Sequence, residues 1–212
     1  MRSLLTCAFL LAGLPAAAQL QVQYADKAVT ITGASSNGDV AVYGISHVNY
    51  RGHEAITTQT SVEQADRGGT FTLQVTQPSF RSVWLIVDLR SGEYVLSNPP
   101  GYHPRQLLVP ADGIDRQGRF LGNESPTADI FVARRGVGAW HSRVSQGSTE
   151  NTDSRKSHVR ISIDHLTPVG STPAPSAVLT KGDVVMAFNP GFMEFWVTQI
   201  TPGNSPGATD AH

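Results

Sequence analysis

The amino-acid sequence predicts an all-β protein built mainly from antiparallel strands. Apolar residues recur with a period of two rather than 3.6, which is the spacing of a half-buried strand. The apolar runs are short and end in Gly, Pro, Asn or Ser, as strands joined by tight turns do. The 212 residues include 20 glycines and 13 prolines, and only 16% are charged. The best helical segment, "SVEQADRG" at residues 61–68, is one or two turns long at most.

The first 18 residues have the pattern of a secretory signal peptide. Arg2 supplies a positive charge, and the apolar stretch at residues 3–15 is shorter than the roughly 20 residues needed to span a bilayer. Small residues follow at 16–18, so we expect cleavage after Ala18. The protein is therefore predicted to be secreted or periplasmic, with no transmembrane span in the mature chain. Because Cys7 belongs to the leader, the mature chain has no cysteine and must be stabilised by its core.

The rest of the chain divides into four segments. Residues 19–110 hold seven strand candidates and predict an antiparallel β-sandwich, and the polar, glycine-rich residues 111–126 form a connector. Residues 127–200 predict a second, smaller β unit that ends in a C-terminal hairpin. Residues 201–212 have no apolar side chain larger than Ala or Pro and are predicted to be a disordered tail.

Three stretches predict particular strands and turns. "SVWLIVDL" at residues 82–89 is apolar on both faces, so it predicts a central strand and the most buried stretch of the N-terminal half. "VDLRSGEYV" predicts a hairpin in which Gly92 adopts a positive φ. "VVMAFNPGFMEFWV" predicts a second hairpin with Pro190 and Gly191 at its turn.

A resemblance to a known family rests on two stretches of the N-terminal half. "VTITGASSNGDVAVYG" (29–44) joins two strands through a Gly and a turn of small residues, and "GGTFTLQV" (68–75) begins a later strand with Gly followed by an aromatic residue. Over about residues 20–100 the chain resembles the bacterial immunoglobulin-like domains of secreted and surface proteins. The resemblance implies an Ig-like sandwich that serves as a spacer, adhesion or binding module. It carries no functional residue over to this chain.

The segment 139–165 gathers histidine, serine and aspartate residues, which are the side chains of nucleophilic catalysis. Its alternation instead predicts an antiparallel hairpin with the ionisable groups on the solvent face and a loop near residues 147–158. The register that avoids facing arginines places Val144 opposite Ile161 and His141 opposite Asp164. No G-x-S-x-G nucleophile elbow occurs in the chain. The sequence therefore favours a non-enzymatic protein, although it leaves the question open.

Three residues are candidates for ligand binding and two for metal binding. Tyr94, Tyr102 and His103 lie in or beside the proline-rich stretch "SNPPGYHP", where exposed rings could stack on a sugar. Asp112 and Asp115, in "ADGIDRQG", are weak calcium candidates, because their spacing of three departs from the alternate acids of an EF-hand. No cofactor is predicted.

The charge distribution limits the class of partner. The formal net charge is −1 and the basic residues are dispersed, which disfavours nucleic acid. An envelope protein or a glycan is the expected partner. The function predicted from the sequence is that of a non-enzymatic exported protein, an interaction or scaffolding module of the bacterial envelope. The alternative is a sandwich-fold hydrolase or a carbohydrate-binding protein.

Overall fold

The structure is a computed structural model. It describes residues 19–25, 27–50, 53–75, 81–101, 105–106, 119–121, 128–144, 158–160, 166–175, 179–189 and 194–200. The predicted signal peptide, the predicted tail and most of the predicted connector lie outside these residues.

The described residues form 15 strands and no helix, which confirms the all-β prediction. The strands are β1 (Gln21–Ala25), β2 (Ala28–Thr32), β3 (Asp39–Tyr50), β4 (His53–Gln64), β5 (Phe71–Gln74), β6 (Ser82–Asp88), β7 (Tyr94–Ser97), β8 (Arg105–Gln106), β9 (Arg119–Leu121), β10 (Ala128–Arg134), β11 (Gly138–Val144), β12 (His158–Arg160), β13 (Thr167–Pro168), β14 (Val184–Asn189) and β15 (Glu194–Gln199). Residues 61–68, the best helical candidate of the sequence, form no helix, and residues 61–64 belong to β4. Pairing along the whole of β3 keeps this part of the chain extended as far as Gln64.

The strands form three main sheets and one small one. Sheet I has the strand order β1-β2-β5, and sheet II has the order β4-β3-β6-β7. Sheet III has the order β13-β11-β10-β14-β15-β8, and β9 pairs with β12 separately. Neighbouring strands are antiparallel except for β15 and β8, which are parallel. The chain is thus a layered β-sandwich with sheet II in the middle.

Three apolar cores separate and cover the sheets. The first lies between sheets I and II and includes Ile31, Val42 and Trp84. The second lies between sheets II and III and combines residues such as Leu85 and Met186, which come from the 19–110 and 127–200 segments respectively. The third covers the other face of sheet III. Strands β3 and β6 therefore have an apolar core against each face.

Strand β6 is buried along its whole length, as its sequence predicts. Trp84 is 1% exposed and Ile86 is fully buried, and both belong to the core beneath sheet I. The Trp84 ring lies over Gly44, the residue that it faces on β3. A Cβ atom at Gly44 would come within 2.3 Å of that ring. The absence of a side chain at Gly44 is thus what admits the large side chain opposite.

Both predicted hairpins form. β6 and β7 pair antiparallel, and Gly92 in their turn has a φ of 80°. A positive φ is costly for residues other than glycine, which explains the glycine at this point. β14 and β15 also pair antiparallel, with Asn189 facing Glu194. Pro190 and Gly191, predicted at the turn, lie outside the described residues.

The register predicted for the 139–165 segment is wrong. Strand β11 pairs with β10 on one side and with β13 on the other, where His141 faces Thr167 rather than Asp164. Strand β12, predicted to pair with β11, pairs with β9 instead. The residue opposite His141 is thus three positions further along the chain than predicted.

The predicted solvent face of β11 is also wrong. Trp140 is 2% exposed and packs in the core on one face of sheet III. His141, predicted to face water, is half-buried on the opposite face, with its ring centroid 5.4 Å from that of Tyr43. Tyr43 in turn stacks on Phe131 at 5.1 Å, which joins sheet II to sheet III. Because sheet III is covered on both faces, the alternation of polar and apolar side chains along β11 does not correspond to a solvent-exposed face and a buried face.

Candidate functional site

Three turns from different parts of the chain meet at one end of the sandwich. They are the β2–β3 turn at residues 33–38, the β6–β7 turn at 89–93 and the β10–β11 turn at 135–137. The Gly136 N–H donates to the Leu89 carbonyl at 2.7 Å. The Arg135 Nε donates to the Arg90 carbonyl at 2.9 Å, and the Arg90 Nη1 donates to a carbonyl of the β2–β3 turn at 3.2 Å. The three turns are therefore tied together by hydrogen bonds.

The carboxylate of Asp88 anchors two of these turns. Its Oδ2 accepts hydrogen bonds from the Ser35 N–H at 2.8 Å and the Ser35 hydroxyl at 2.7 Å. Its Oδ1 accepts from the N–H groups of Arg90 at 2.8 Å and Ser91 at 3.2 Å. Asp88 is only 2% exposed, and with four hydrogen bonds its carboxylate is committed to structure. This leaves it poorly suited to acid–base chemistry.

The ionisation of Asp88 is set by two opposing effects. Burial raises the pKa of the carboxyl group, because the charged form loses water. The hydrogen bonds from Ser35, Arg90 and Ser91 favour the charged form and outweigh burial, so that the pKa lies below its ordinary value. Asp88 is therefore an anion at neutral pH, and it holds the β2–β3 and β6–β7 turns together in that form.

An exposed surface of mixed chemistry lies on these turns. We define the turn surface as Arg90, Gly92, Tyr94, Arg135 and Val137. Val137 is 45% exposed and Tyr94 is 38% exposed, and these two are the exposed large apolar side chains of the described part of the chain. Both guanidinium side chains are exposed as well. The turn surface thus combines two cations with the two apolar groups that the described fold leaves in water.

Tyr94 and Arg135 lie on the same side of sheet II. Tyr94 faces Val87 across the β6–β7 pair, and Val87 packs in the core between sheets II and III. Residues directly opposite each other in an antiparallel pair share a face. The Tyr94 side chain therefore lies on the side of sheet III, and Arg135 directly follows the last strand residue of β10 in that sheet. The stem of Arg135 crosses Gly92, where an added Cβ would lie 3.3 Å from the Arg135 Cδ.

A second buried carboxylate lies at the start of β14. Asp183 is fully buried and forms a two-pronged ion pair with Arg134, whose Nε and Nη2 lie 2.9 and 2.8 Å from its two oxygens. The Thr180 N–H and hydroxyl donate to the same carboxylate at 2.7 and 3.1 Å. The Arg134 guanidinium also lies 5.4 Å from the centroid of the Trp140 ring. This arrangement stabilises the end of sheet III and leaves no oxygen of Asp183 without a donor.

Of the binding and metal candidates predicted from the sequence, the structure describes Tyr94 alone. Tyr94 is exposed, begins β7 and belongs to the turn surface. Tyr102 and His103 lie outside the described residues, and the preceding residues 98–101 follow the opposite end of β7. Asp112 and Asp115 also lie outside the described residues, as does Asp164, the predicted neighbour of His141.

Arg90, Arg135 and Val137 were not predicted as functional residues from the sequence. Each lies in a turn marked by glycine, "RSG" for the first and "RRGVG" for the other two. Glycines with a positive φ at 92 and 136 mark the two turns as exposed loops. Neither stretch predicts that these two turns, 45 positions apart in the chain, are in contact.

Among the residues that the structure describes, no group of three or more His, Cys, Asp or Glu side chains is arranged to hold a metal ion. No helix there is long and apolar enough to cross a membrane. Comparisons of the chain with protein-family models, with curated proteins and with solved structures find no match.

Proposed function

We propose that this chain is a non-enzymatic, exported interaction or scaffolding module of the bacterial envelope. In this proposal the signal peptide directs it to a secreted or periplasmic location, and the turn surface makes the contact with its partner. The observation that carries the proposal is the turn surface itself, where exposed apolar and cationic side chains lie on turns that hydrogen bonds hold in place. Surfaces of this composition are typical of protein interaction sites, which favour aromatic and arginine residues.

We also propose that residues 19–110 form the immunoglobulin-like sandwich that the sequence resembles, and the strand order supports this. The first, second and fifth strands form one sheet, and the third, sixth and seventh form the centre and one edge of the other. An immunoglobulin sandwich divides its strands in the same way. The fourth strand lies beside the third, which is the position of the strand that variable-type domains add to that sheet. Loops at the ends of such sandwiches are common binding sites.

The hydrogen bonding of two buried aspartates, Asp88 and Asp183, also favours a binding role over catalysis. Asp88 accepts four hydrogen bonds, and Asp183 accepts four as well. A general acid or base needs a proton-accepting position that substrate can reach. In both of these residues the accepting positions face protein donors, so they serve to hold turns.

Site-directed cross-linking in the native envelope tests this proposal. Since Cys7 is the one cysteine of the chain and is predicted to be removed with the signal peptide, a Val137→Cys variant places a single reactive thiol on the turn surface. A photoactivatable cross-linker attached to this thiol reacts with C–H bonds and so captures a protein partner or a glycan alike. A Gln74→Cys variant is the matched control, because Gln74 is exposed on β5 of sheet I. We expect a discrete cross-linked product from position 137 and none from position 74. Equal labelling of both positions, or no product from either, would refute a contact through the turn surface.

A further inference from the structure

We propose that the ligand of the turn surface is an acidic polysaccharide. In this arrangement the guanidinium groups of Arg90 and Arg135 bind the oxyanions of the polymer, and the Tyr94 ring stacks on a sugar. The inference rests on the proposed function and adds to it the chemical class of the partner. The shared chemistry is a planar carboxylate or a phosphate carried on a sugar ring.

The first support is the hydrogen-bonding capacity that the two guanidinium groups retain. Arg135 donates through Nε and Arg90 through Nη1, so the other N–H groups of each are directed elsewhere. Within the described part of the chain, no carboxylate lies within 4.0 Å of either group. A guanidinium presents paired N–H groups that match the two oxygens of a carboxylate or phosphate. The two arginines are thus suited to bind oxyanions from outside the protein.

The second support is that both arginines are held in position before any ligand binds. Each guanidinium is fixed by a backbone carbonyl of a neighbouring turn, and the stem of Arg135 rests against Gly92. The Asp88 carboxylate fixes the turn that carries Arg90. Ordering a long side chain on binding costs about 0.5–1.5 kcal/mol, and that cost is reduced where the side chain is ordered already.

The third support is the exposed side chain of Tyr94, which begins β7 next to the turn of Arg90 and lies on the same side of sheet II as Arg135. An aromatic side chain offers an apolar face and a polar tip, which suits a sugar ring that has an apolar face and hydroxyl groups at its edge. An acidic peptide would satisfy the arginines but would make no specific use of this ring. The combination of ring and guanidinium groups therefore favours a glycan over an acidic protein.

One residue of the same turn works against anion binding. Glu93 is exposed and lies between Gly92 and Tyr94 in the chain. Its negative charge lowers the positive potential of the turn surface. A Glu93→Gln substitution is therefore expected to strengthen binding, whereas loss of either arginine is expected to weaken it.

The test is a binding titration of the full chain against polysaccharide-coupled beads. The probes are polygalacturonate, which carries carboxylates, a phosphorylated mannan, and neutral dextran, with poly-glutamate as an acidic polypeptide. We expect saturable binding to at least one acidic polysaccharide and none to dextran. Because the contacts are exposed charges, binding should weaken as NaCl rises from about 0.05 to about 0.5 M.

The variants separate the contributions of charge, geometry and stacking. We expect Arg135→Gln to weaken binding by about tenfold or more, since truncating one member of a hydrogen-bonded charge pair is costly. Arg90→Lys keeps the charge but loses the planar fork, so it should weaken binding less than Arg90→Gln. Tyr94→Phe should bind like the wild type, and Tyr94→Ala should not. Lys27→Gln is the matched control, because it removes an exposed positive charge at the opposite end of β2.

The outcomes distinguish this inference from the proposed function. Binding to an acidic polysaccharide that is lost in Arg135→Gln and kept in Lys27→Gln supports it, and the preferred probe identifies the oxyanion. Equal binding to poly-glutamate, equal losses in both of those variants, or no binding to either acidic polysaccharide would overturn it. If cross-linking from position 137 still captures a partner in those cases, the proposed function stands without this ligand. Thermal unfolding of each variant shows whether a loss of binding reflects a loss of folding.

Discussion

Replacing Asp88 by asparagine removes the charge that ties the β2–β3 and β6–β7 turns together. The carboxylate accepts four hydrogen bonds, two at each oxygen, and all four donors belong to the turns. The asparagine side chain keeps one carbonyl oxygen, so an NH₂ group must face two of these donors. Those two bonds are lost, and the remaining two are no longer charge-assisted.

The expected cost follows from these bonds. A hydrogen bond to a charged group contributes about 1.5–3 kcal/mol, and a neutral one about half of that. Because losses at one side chain are not additive, we expect Asp88→Asn to lower the free energy of unfolding by about 3 kcal/mol at pH 7. In a domain of this size that corresponds to a fall in Tm of about 6–12 °C. Asp39→Asn is the matched control, because Asp39 is exposed; we expect it to change stability by no more than about 0.5 kcal/mol.

The effect of Asp88→Asn should depend on pH in a defined direction. The pKa of Asp88 in the folded protein lies below its ordinary value, and the unfolded value is about 3.9. The stability contributed by the charged form is therefore fully present well above the unfolded pKa. It is lost as the pH falls through the lowered folded pKa. The difference between wild type and Asp88→Asn should be constant from about pH 6 to pH 8 and shrink below about pH 4.

Urea unfolding followed by tryptophan fluorescence at pH 7, 5 and 3 measures this difference. We expect a large difference in the free energy of unfolding, or gap, between wild type and Asp88→Asn at pH 7 and a smaller gap at pH 3. Asp39→Asn should be close to wild type at pH 7. Two results would refute this expectation. One is an unfolding midpoint for Asp88→Asn that equals that of Asp39→Asn at pH 7. The other is a gap that does not change between pH 7 and pH 3.

Three further substitutions test contacts elsewhere in the described fold. Arg134→Ala leaves the buried carboxylate of Asp183 without its cation and should lower the free energy of urea unfolding by about 3–5 kcal/mol. Arg134→Lys should be intermediate, because a single ammonium does not span both carboxylate oxygens. Wild-type stability in Arg134→Ala would contradict this expectation. Gly44→Ala forces a Cβ into the ring of Trp84 and should cost about 1–3 kcal/mol or more, and a neutral result would show that the ring can move aside. Thr172→Val removes the hydroxyl that accepts a hydrogen bond from the Ala139 N–H of β11 at 3.0 Å. Hydrogen exchange at the Ala139 amide should therefore accelerate, while neighbouring β11 amides keep their protection.

The N-terminal half shows how far local pattern extends. The run at residues 82–89 specified a strand buried on both faces, because five successive apolar side chains leave no side for water. Gly92 specified its turn, because few other residues adopt a positive φ at low cost. Residues 61–64 could not be assigned from their own sequence, because a short polar stretch has no strong preference, and pairing with β3 made them part of β4.

The class of fold, the central strand β6 and the positions of two hairpins could all be predicted from local sequence, since these depend on side-chain alternation and turn chemistry within about ten residues. Tertiary packing fixed the remaining features. It placed His141 opposite Thr167, because the register of β11 depends on which sheet covers each of its faces. It also brought Arg135 onto the turn of Arg90, a contact between residues 45 positions apart. The sequence of neither turn predicts this contact, because it results from the packing of sheet III on sheet II, to which many side chains contribute together.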